Sequence, residues 1–319
     1  MSNNLLSVSN LTVKDDKGLL LSGLNLSVKE GETIAFIGES GSGKTMSLKA
    51  ILSLLPVDTE LVSGSVTLKG ESLYDLKDKE KRALLGFSVG FVPQNTVNYL
   101  HPLLKIKEQM IDGYLSFNGR KSKKAALQRA KELLIRVGIE DADRVLDAYP
   151  SELSGGMRQR VNIATALMMS PSLLISDEPT SAIDRIVQRQ VAELYMSLIK
   201  EHKESLIIVS HDLKLAEKLA DRVVVFYSGR IVEEGEKKEI FSSPHHPYTK
   251  ALIAITPTLT LDKSKPLEEI KGYLKGEDRN REGCVFYSRC KYKREECKCF
   301  NEYRKISDTH FSRCLLEAL

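Results

Sequence analysis

Four short stretches of the chain are continuously apolar: Thr33-Ile34-Ala35-Phe36-Ile37, Leu173-Leu174-Ile175, Leu206-Ile207-Ile208-Val209 and Val223-Val224-Val225-Phe226. A strand without polar alternation is one covered on both faces, the situation of a parallel sheet between two layers. Weaker alternation over Leu6 to Val13 and Ser65 to Leu68, with Gly or Asn nearby, predicts half-exposed strands of an antiparallel sheet. Helical stretches lie between the apolar runs: Met46 to Leu55, Lys123 to Val137, Arg185 to Lys200 and Leu213 to Ala220. Strand and helix alternating in this way predict an α/β core built from right-handed crossovers. From about 95 to 155 the pattern is mostly helical and has no strong buried-strand run, so a helical subdomain is expected between core strands. Beyond about Thr256 apolar density falls and Lys, Glu, Asp and Cys take over. The expected division is a main domain over 1–255 and a small C-terminal module over 256–319.

Composition narrows the function classes. At 319 residues the chain has room for about two domains and a sizeable core. No stretch approaches the roughly 18 apolar residues of a membrane helix, which argues against an integral membrane protein. Residues 1–7 have neither a basic nor an apolar signal region, so a cytosolic setting is expected. The net charge of +4 is too mild for a nucleic-acid footprint. The five cysteines, Cys284, Cys290, Cys297, Cys299 and Cys314, all fall in the last 36 residues and mark a separate module.

Chemistry concentrates at two strand ends. Gly38-Glu39-Ser40-Gly41-Ser42-Gly43-Lys44-Thr45 fits G-x-x-x-x-G-K-[ST], directly after an apolar strand and before a helix. Glycines let backbone N–H groups close on phosphate oxygens and the helix N-terminus adds a favourable dipole. Lys44 can then reach the β and γ phosphates, and Thr45 can ligate magnesium. The second site, Leu173 to Pro179, is an apolar strand ending in Asp177 and Glu178 at the sheet edge where ligands bind. There Asp177 would hold magnesium, directly or through water, and Glu178 would polarise the attacking water.

The run Leu153-Ser154-Gly155-Gly156-Met157-Arg158-Gln159-Arg160 resembles the signature motif of ATP-binding cassette (ABC) ATPases. The resemblance implies a P-loop cassette fold with a mixed sheet core, an antiparallel subdomain and a helical signature subdomain. It also implies that Ser154, Gly155, Gly156 and Met157 face the γ-phosphate held by a second cassette. Gln94 resembles the Q-loop glutamine that touches magnesium and the attacking water, Ser181-Ala182-Ile183-Asp184 the D-loop, and His211 the switch histidine. Within the family the chain is similar, over nearly its whole length, to ATP-binding subunits of oligopeptide, dipeptide and nickel importers. The segment Ser243-Pro244-His245-His246-Pro247-Tyr248-Thr249-Lys250-Ala251-Leu252 belongs to that likeness. Its paired histidines could suggest a metal, but a proline-rich loop opening a helix at Tyr248 is the reading adopted.

Cys284-x5-Cys290-x6-Cys297 followed by Cys314 looks like the C-terminal iron–sulfur motif of the dipeptide-type subunits, which implies a 4Fe-4S cluster. Zinc or free thiols remain alternatives, and Cys299 competes with Cys297 as third ligand; spacing favours Cys297. The resemblance breaks at Asp15 and Lys14, where many relatives carry an aromatic residue that stacks on adenine. It also breaks after Gln94, where Asn95-Thr96-Val97-Asn98-Tyr99 replaces the usual acidic residue and proline. Thr45 in place of serine is chemically neutral.

The implied activity is ATP hydrolysis powering peptide uptake at the cytoplasmic face of the plasma membrane. The implied partners are a second, paralogous cassette giving a heterodimer, two membrane-spanning permease subunits and an extracytoplasmic solute-binding protein. The same ATPase role in nickel or metal-chelate import is the nearest alternative. A soluble ABC ATPase acting on DNA or ribosomes is the alternative of another class, disfavoured by the single cassette and the lack of a heptad run.

Overall fold

The computed structural model describes residues 4–94, 99–180, 185–202, 204–256 and 270–316. Among these, two sheets form. Strands β1 (Asn4–Asp15), β2 (Gly18–Lys29), β4 (Glu60–Leu68) and β5 (Glu71–Ser72) make an antiparallel sheet in the order β2-β1-β4-β5. The larger sheet contains β3 (Thr33–Ile37), β6 (Val89–Val92), β7 (Leu173–Asp177), β8 (Ser205–Val209), β9 (Arg222–Tyr227), β10 (Arg230–Glu236), β11 (Arg304–Lys305) and β12 (Phe311–Ser312). Its order is β11-β12-β10-β9-β3-β8-β7-β6. The pairs from β9 to β6 are parallel, whereas β10 and the two C-terminal strands run antiparallel. Thr33 pairs with Leu206, and Leu174 with Leu206, so three apolar runs lie side by side at the centre.

Burial explains why these runs have no polar alternation. Successive side chains of a strand point to opposite faces. Ile34 and Phe36 of β3 join a core with Leu173, Ile175, Ile207 and Val209 under the antiparallel sheet. Ala35 and Ile37 join a second core on the opposite face, with Leu174, Leu206, Ile208 and Val223. That second core is covered by helices.

The helices are α1 (Lys44–Ile51), α2 (Asp78–Ser88), α3 (Ile106–Asn118), α4 (Lys123–Arg136), α5 (Ala142–Asp147), α6 (Gly155–Ala166), α7 (Arg185–His202), α8 (Leu213–Leu219), α9 (Lys237–Ser242) and α10 (Pro247–Ala254). Helices α3 to α6 lie between β6 and β7 in the chain, and their buried Met110, Ala130, Leu134, Val145 and Val161 belong to the helix-covered core. The helix expected from Tyr248 is α10. Pro247 stands in its first turn and the Nδ1 of the buried His246 accepts from Tyr248 N at 3.1 Å.

Apolar patterning does not single out β10, because its buried residues include acids held by partners. The Glu233 carboxylate accepts from His245 N (2.6 Å) and His246 N (3.0 Å) and meets His310 Nε2 at 2.6 Å. Arg222 pairs with both Glu32 (2.9 Å) and Glu234 (3.4 Å). Polarity is here compatible with burial because each charge is paired. Through β12, which pairs Ser312 with Glu233, the C-terminal residues extend the main sheet.

Candidate functional site

Strand β3 delivers the chain into the glycine-rich loop at its C-terminal edge. Gly38 has φ +144°, and a Cβ there would collide with the Phe226 carbonyl and the Ser42 hydroxyl. Gly43, at φ +111°, lies against Gly229 of the β9–β10 turn. The loop wraps around the Lys44 ammonium, whose Nζ donates to Gly38 O at 2.8 Å and Glu39 O at 3.0 Å. Burial depresses the pKa of Lys44, opposed by the carboxylates of Glu178, Asp177 and Glu39. No side chain caps the N-terminus of α1 at Gly43. A desolvated cation beside uncapped helix N–H groups is suited to phosphate oxygens.

The two acids predicted at the end of β7 converge on the same loop. Thr45 Oγ1 donates to Asp177 Oδ1 at 3.3 Å, and Asp177 is buried. Burial raises the Asp177 pKa, offset by the Thr45 hydrogen bond. A hydroxyl and a carboxylate meeting in this way are hard oxygen ligands of the kind magnesium takes. Glu178 has φ +48°, a left-handed conformation rare for a non-glycine, and its N–H donates to Val209 O at 2.9 Å. The turn aims its carboxylate at two further predicted residues: Gln94 Nε2 donates to Glu178 Oε2 at 2.6 Å, and His211 Nδ1 lies 3.5 Å from the same oxygen. Glutamine, carboxylate and imidazole come from β6, β7 and β8 ends that neighbour one another in the sheet.

The pocket over this loop is lined by Leu20, Ser40, Gly41, Gly43, Lys44, Thr45, Met46, Gln94, Glu178 and Arg279. Neither Lys14 nor Asp15 lines it. Lys14 pairs with Glu60 at 3.0 Å, and Asp15 accepts from Lys17 N at 2.8 Å. Arg279, a wall residue not anticipated from the sequence, comes from the C-terminal part of the chain and donates to Gly41 O at 3.0 Å across 238 residues of chain. No local motif announces it.

The signature residues stand apart from this pocket. Ser154 is the N-cap of α6, its Oγ accepting from Met157 N at 3.3 Å, and it is exposed. Gly155 and Gly156 open the helix, and none of Ser154, Gly155, Gly156 or Met157 lines the pocket. The D-loop positions Ser181 to Asp184 lie outside the described residues.

Four of the five cysteines surround one cavity. Cys284, Cys290, Cys297 and Cys314 line it with His246, Phe286, Tyr287, Lys293 and Arg313, whereas Cys299 is exposed and does not contribute. The backbone brings two of them together: Cys284 N donates to Cys297 O at 2.9 Å, and a Cβ at Gly283 would collide with the Lys298 carbonyl. Burial pushes the Cys284 thiol up to about 12 and Cys314 to about 11. Among the described residues no group of three or more His, Cys, Asp or Glu is drawn together to hold a metal ion.

The same C-terminal residues also grip the phosphate loop from outside. Arg289, next to Cys290, makes a two-pronged ion pair with Glu39: Nη1 to Oε2 at 2.7 Å and Nη2 to Oε1 at 3.1 Å. The Tyr248 hydroxyl accepts from Glu39 N at 2.8 Å. The Tyr248 segment singled out in the sequence is thus a buttress of the loop.

Comparison with known proteins agrees with this geometry. Residues 21–181 match the ABC transporter family and residues 232–297 match the oligopeptide/dipeptide transporter C-terminal region. The chain is 40% identical over 275 residues to the dipeptide transport ATP-binding protein DppD of Haemophilus influenzae, covering 86% of this chain and 83% of that protein. It is 39% identical over 300 residues to the oligopeptide transport ATP-binding protein OppD of Bacillus subtilis, covering 92% and 82%. Among solved structures, cbiO1 of Clostridium perfringens, part of the ABC transporter complex cbiONQ, superposes with a TM-score of 0.65 at 28% identity, over 75% of this chain and 91% of that one. The ATP-binding cassette MJ0796, in a dimeric post-hydrolysis state with ADP and Pi, superposes with a TM-score of 0.62 at 29% identity, over 73% and 98%. Phosphate loop, paired acids, glutamine and histidine meet as an ATP-hydrolysing cassette requires, and the chain belongs to the ABC transporter family, on the branch that carries the oligopeptide/dipeptide transporter C-terminal region.

Proposed function

We propose that this chain is the ATP-hydrolysing subunit of an importer of dipeptides or oligopeptides. The observation that carries the reading is the Glu178 carboxylate held between Gln94 and His211 beside Lys44, in a chain similar over most of its length to peptide-transport ATP-binding proteins. Water attacks the γ-phosphate in line, oriented by Glu178 and His211. Charge developing on the phosphate oxygens is spread over Lys44 and the loop N–H groups; Thr45, Asp177 and Gln94 would hold magnesium, which would supply further positive charge there. The signature, opened by the exposed Ser154 and running to Met157, completes a second cassette's site, which makes the working unit a dimer, and the D-loop resemblance assigns Asp184 to the same role.

This chain works at the cytoplasmic face of the membrane, against two membrane permeases that receive cargo from an extracytoplasmic binding protein. Among the described residues no helix is long and apolar enough to cross a membrane, and the route for cargo is assigned to the permeases. Tyr99, Leu103 and Leu104, which follow Gln94 in the chain, expose apolar surface. This surface suits docking to the permeases.

In the C-terminal module, 256–319, Cys284, Cys290, Cys297 and Cys314 would hold a 4Fe-4S cluster. Four thiols around one cavity, with Lys293 and Arg313 in its wall, suit a cluster of negative charge. Phe286, Tyr292 and Phe300 line the same cavity and would limit water at the sulfurs, one of the features that tune such a cluster.

The test is uptake in cells carrying Glu178→Gln in this gene, with labelled short peptides and with radioactive nickel, free and chelated. Loss of peptide uptake alone is expected. Loss of nickel uptake with peptide uptake intact would move the assignment to metal import, and no loss of either would overturn the importer reading.

A further inference from the structure

Among the described residues no aromatic side chain lines the nucleotide pocket. The functional groups in its wall divide in two. Lys44, Thr45, Gln94 and Glu178 surround the space for the outer phosphates and magnesium, which leaves Leu20, Met46 and Arg279 to meet the nucleoside. Leu20 is near the start of β2, across the turn from the end of β1, where Lys14 and Asp15 are turned to other partners. Arg279 is pinned beside that strand by its neighbour Asn280, whose Oδ1 accepts from Leu19 N at 3.0 Å.

The Arg279 guanidinium is held but not used up. One Nη2 proton goes to Gly41 O, while Nε is buried with no hydrogen-bond partner. Three other module arginines, Arg281, Arg289 and Arg313, each lie over a tyrosine ring at 5.1 to 5.9 Å. Among the described residues no ring lies under Arg279, the one of these four that faces the pocket. A guanidinium is planar and weakly hydrated, and it stacks well on flat π systems.

We propose that Arg279 supplies the platform on which adenine stacks, with Leu20 beside it, so that the C-terminal module forms part of the ATP site. The inference rests on the nucleotide reading of this pocket and adds what recognises the base. It makes ATP affinity depend on how the module is docked, because Arg279 reaches the loop only while residues 276–280 pack on β2.

Binding to the full-length protein tests this, by calorimetry with magnesium and two probes, a non-hydrolysable ATP analogue and inorganic tripolyphosphate. Arg279→Ala is expected to weaken the ATP analogue about ten-fold, within the range of one lost base stack, and to change tripolyphosphate less than about two-fold. Arg279→Tyr should recover most of the ATP affinity, and Arg279→Lys, which keeps the charge without the plane, should not. Equal weakening of both probes with rescue by Arg279→Lys would make Arg279 a phosphate contact and overturn the proposal. An ATP affinity untouched by Arg279→Ala would also overturn it. Failure of the unmodified protein to bind either probe would instead overturn the nucleotide reading beneath it.

Discussion

Arg289→Ala should loosen the C-terminal residues around it and the phosphate loop together. The guanidinium is 5% exposed and the Glu39 carboxylate 28%, and the two meet through two hydrogen bonds of 2.7 and 3.1 Å. At an effective dielectric near 20, charges about 4 Å apart attract by about 4 kcal/mol. Desolvation of the arginine and the partial exposure of Glu39 offset part of that. Removing the arginine also strips a donor from the carbonyls of Ile270, Lys271 and Gly272. We therefore expect a loss of about 2–4 kcal/mol in unfolding free energy. A double-mutant cycle with Glu39→Gln, read by urea unfolding, should return a coupling of about 1.5–2 kcal/mol. Because Glu39 O also receives the Lys44 ammonium, ATP should bind several-fold more weakly in Arg289→Ala. A coupling below about 0.5 kcal/mol together with unchanged ATP affinity would show that the pair neither holds the module nor shapes the loop.

Three further outcomes are expected. Glu178→Gln should lower turnover by about two to four orders of magnitude while ATP affinity stays within about two-fold, and steady-state hydrolysis at the unmodified rate would remove Glu178 from the reaction. Cys297→Ser should lose iron and sulfide after anaerobic reconstitution whereas Cys299→Ser should keep both, since only Cys297 faces the cavity; the reverse pattern would reassign the third ligand. Burial alone would raise the Glu233 carboxyl, but donors led by His310 outweigh it and hold it below its ordinary 4.5. Ionised Glu233 therefore adds stability above pH 4.5 that is lost as pH falls through the lower folded value, and Glu233→Gln, less stable at pH 7, should lack this acid limb in thermal melts.

The nucleotide end of this protein was legible in the sequence because its chemistry is local. A phosphate loop needs glycines, lysine and a hydroxyl within eight residues, after one strand and before one helix, so Gly38 to Thr45 announce both the site and the α/β core that holds it. The apolar runs at β3, β7, β8 and β9 were equally plain, since a strand covered on both faces has no polar position to blur it. β10 was hidden by Glu233 and Glu234, whose burial depends on His310 and Arg222 brought from elsewhere in the chain.

Tertiary structure alone decided how the two ends of the chain meet. No spacing rule links Arg279 to Gly41, Arg289 to Glu39 or Asn280 to Leu19, because these contacts span 238 to 261 residues and depend on where the module packs. Which of Cys297 and Cys299, two residues apart, lines the cavity likewise depends on packing. Motifs record the chemistry one segment must perform; the surfaces on which distant segments meet follow from packing, and packing is a property of the whole chain.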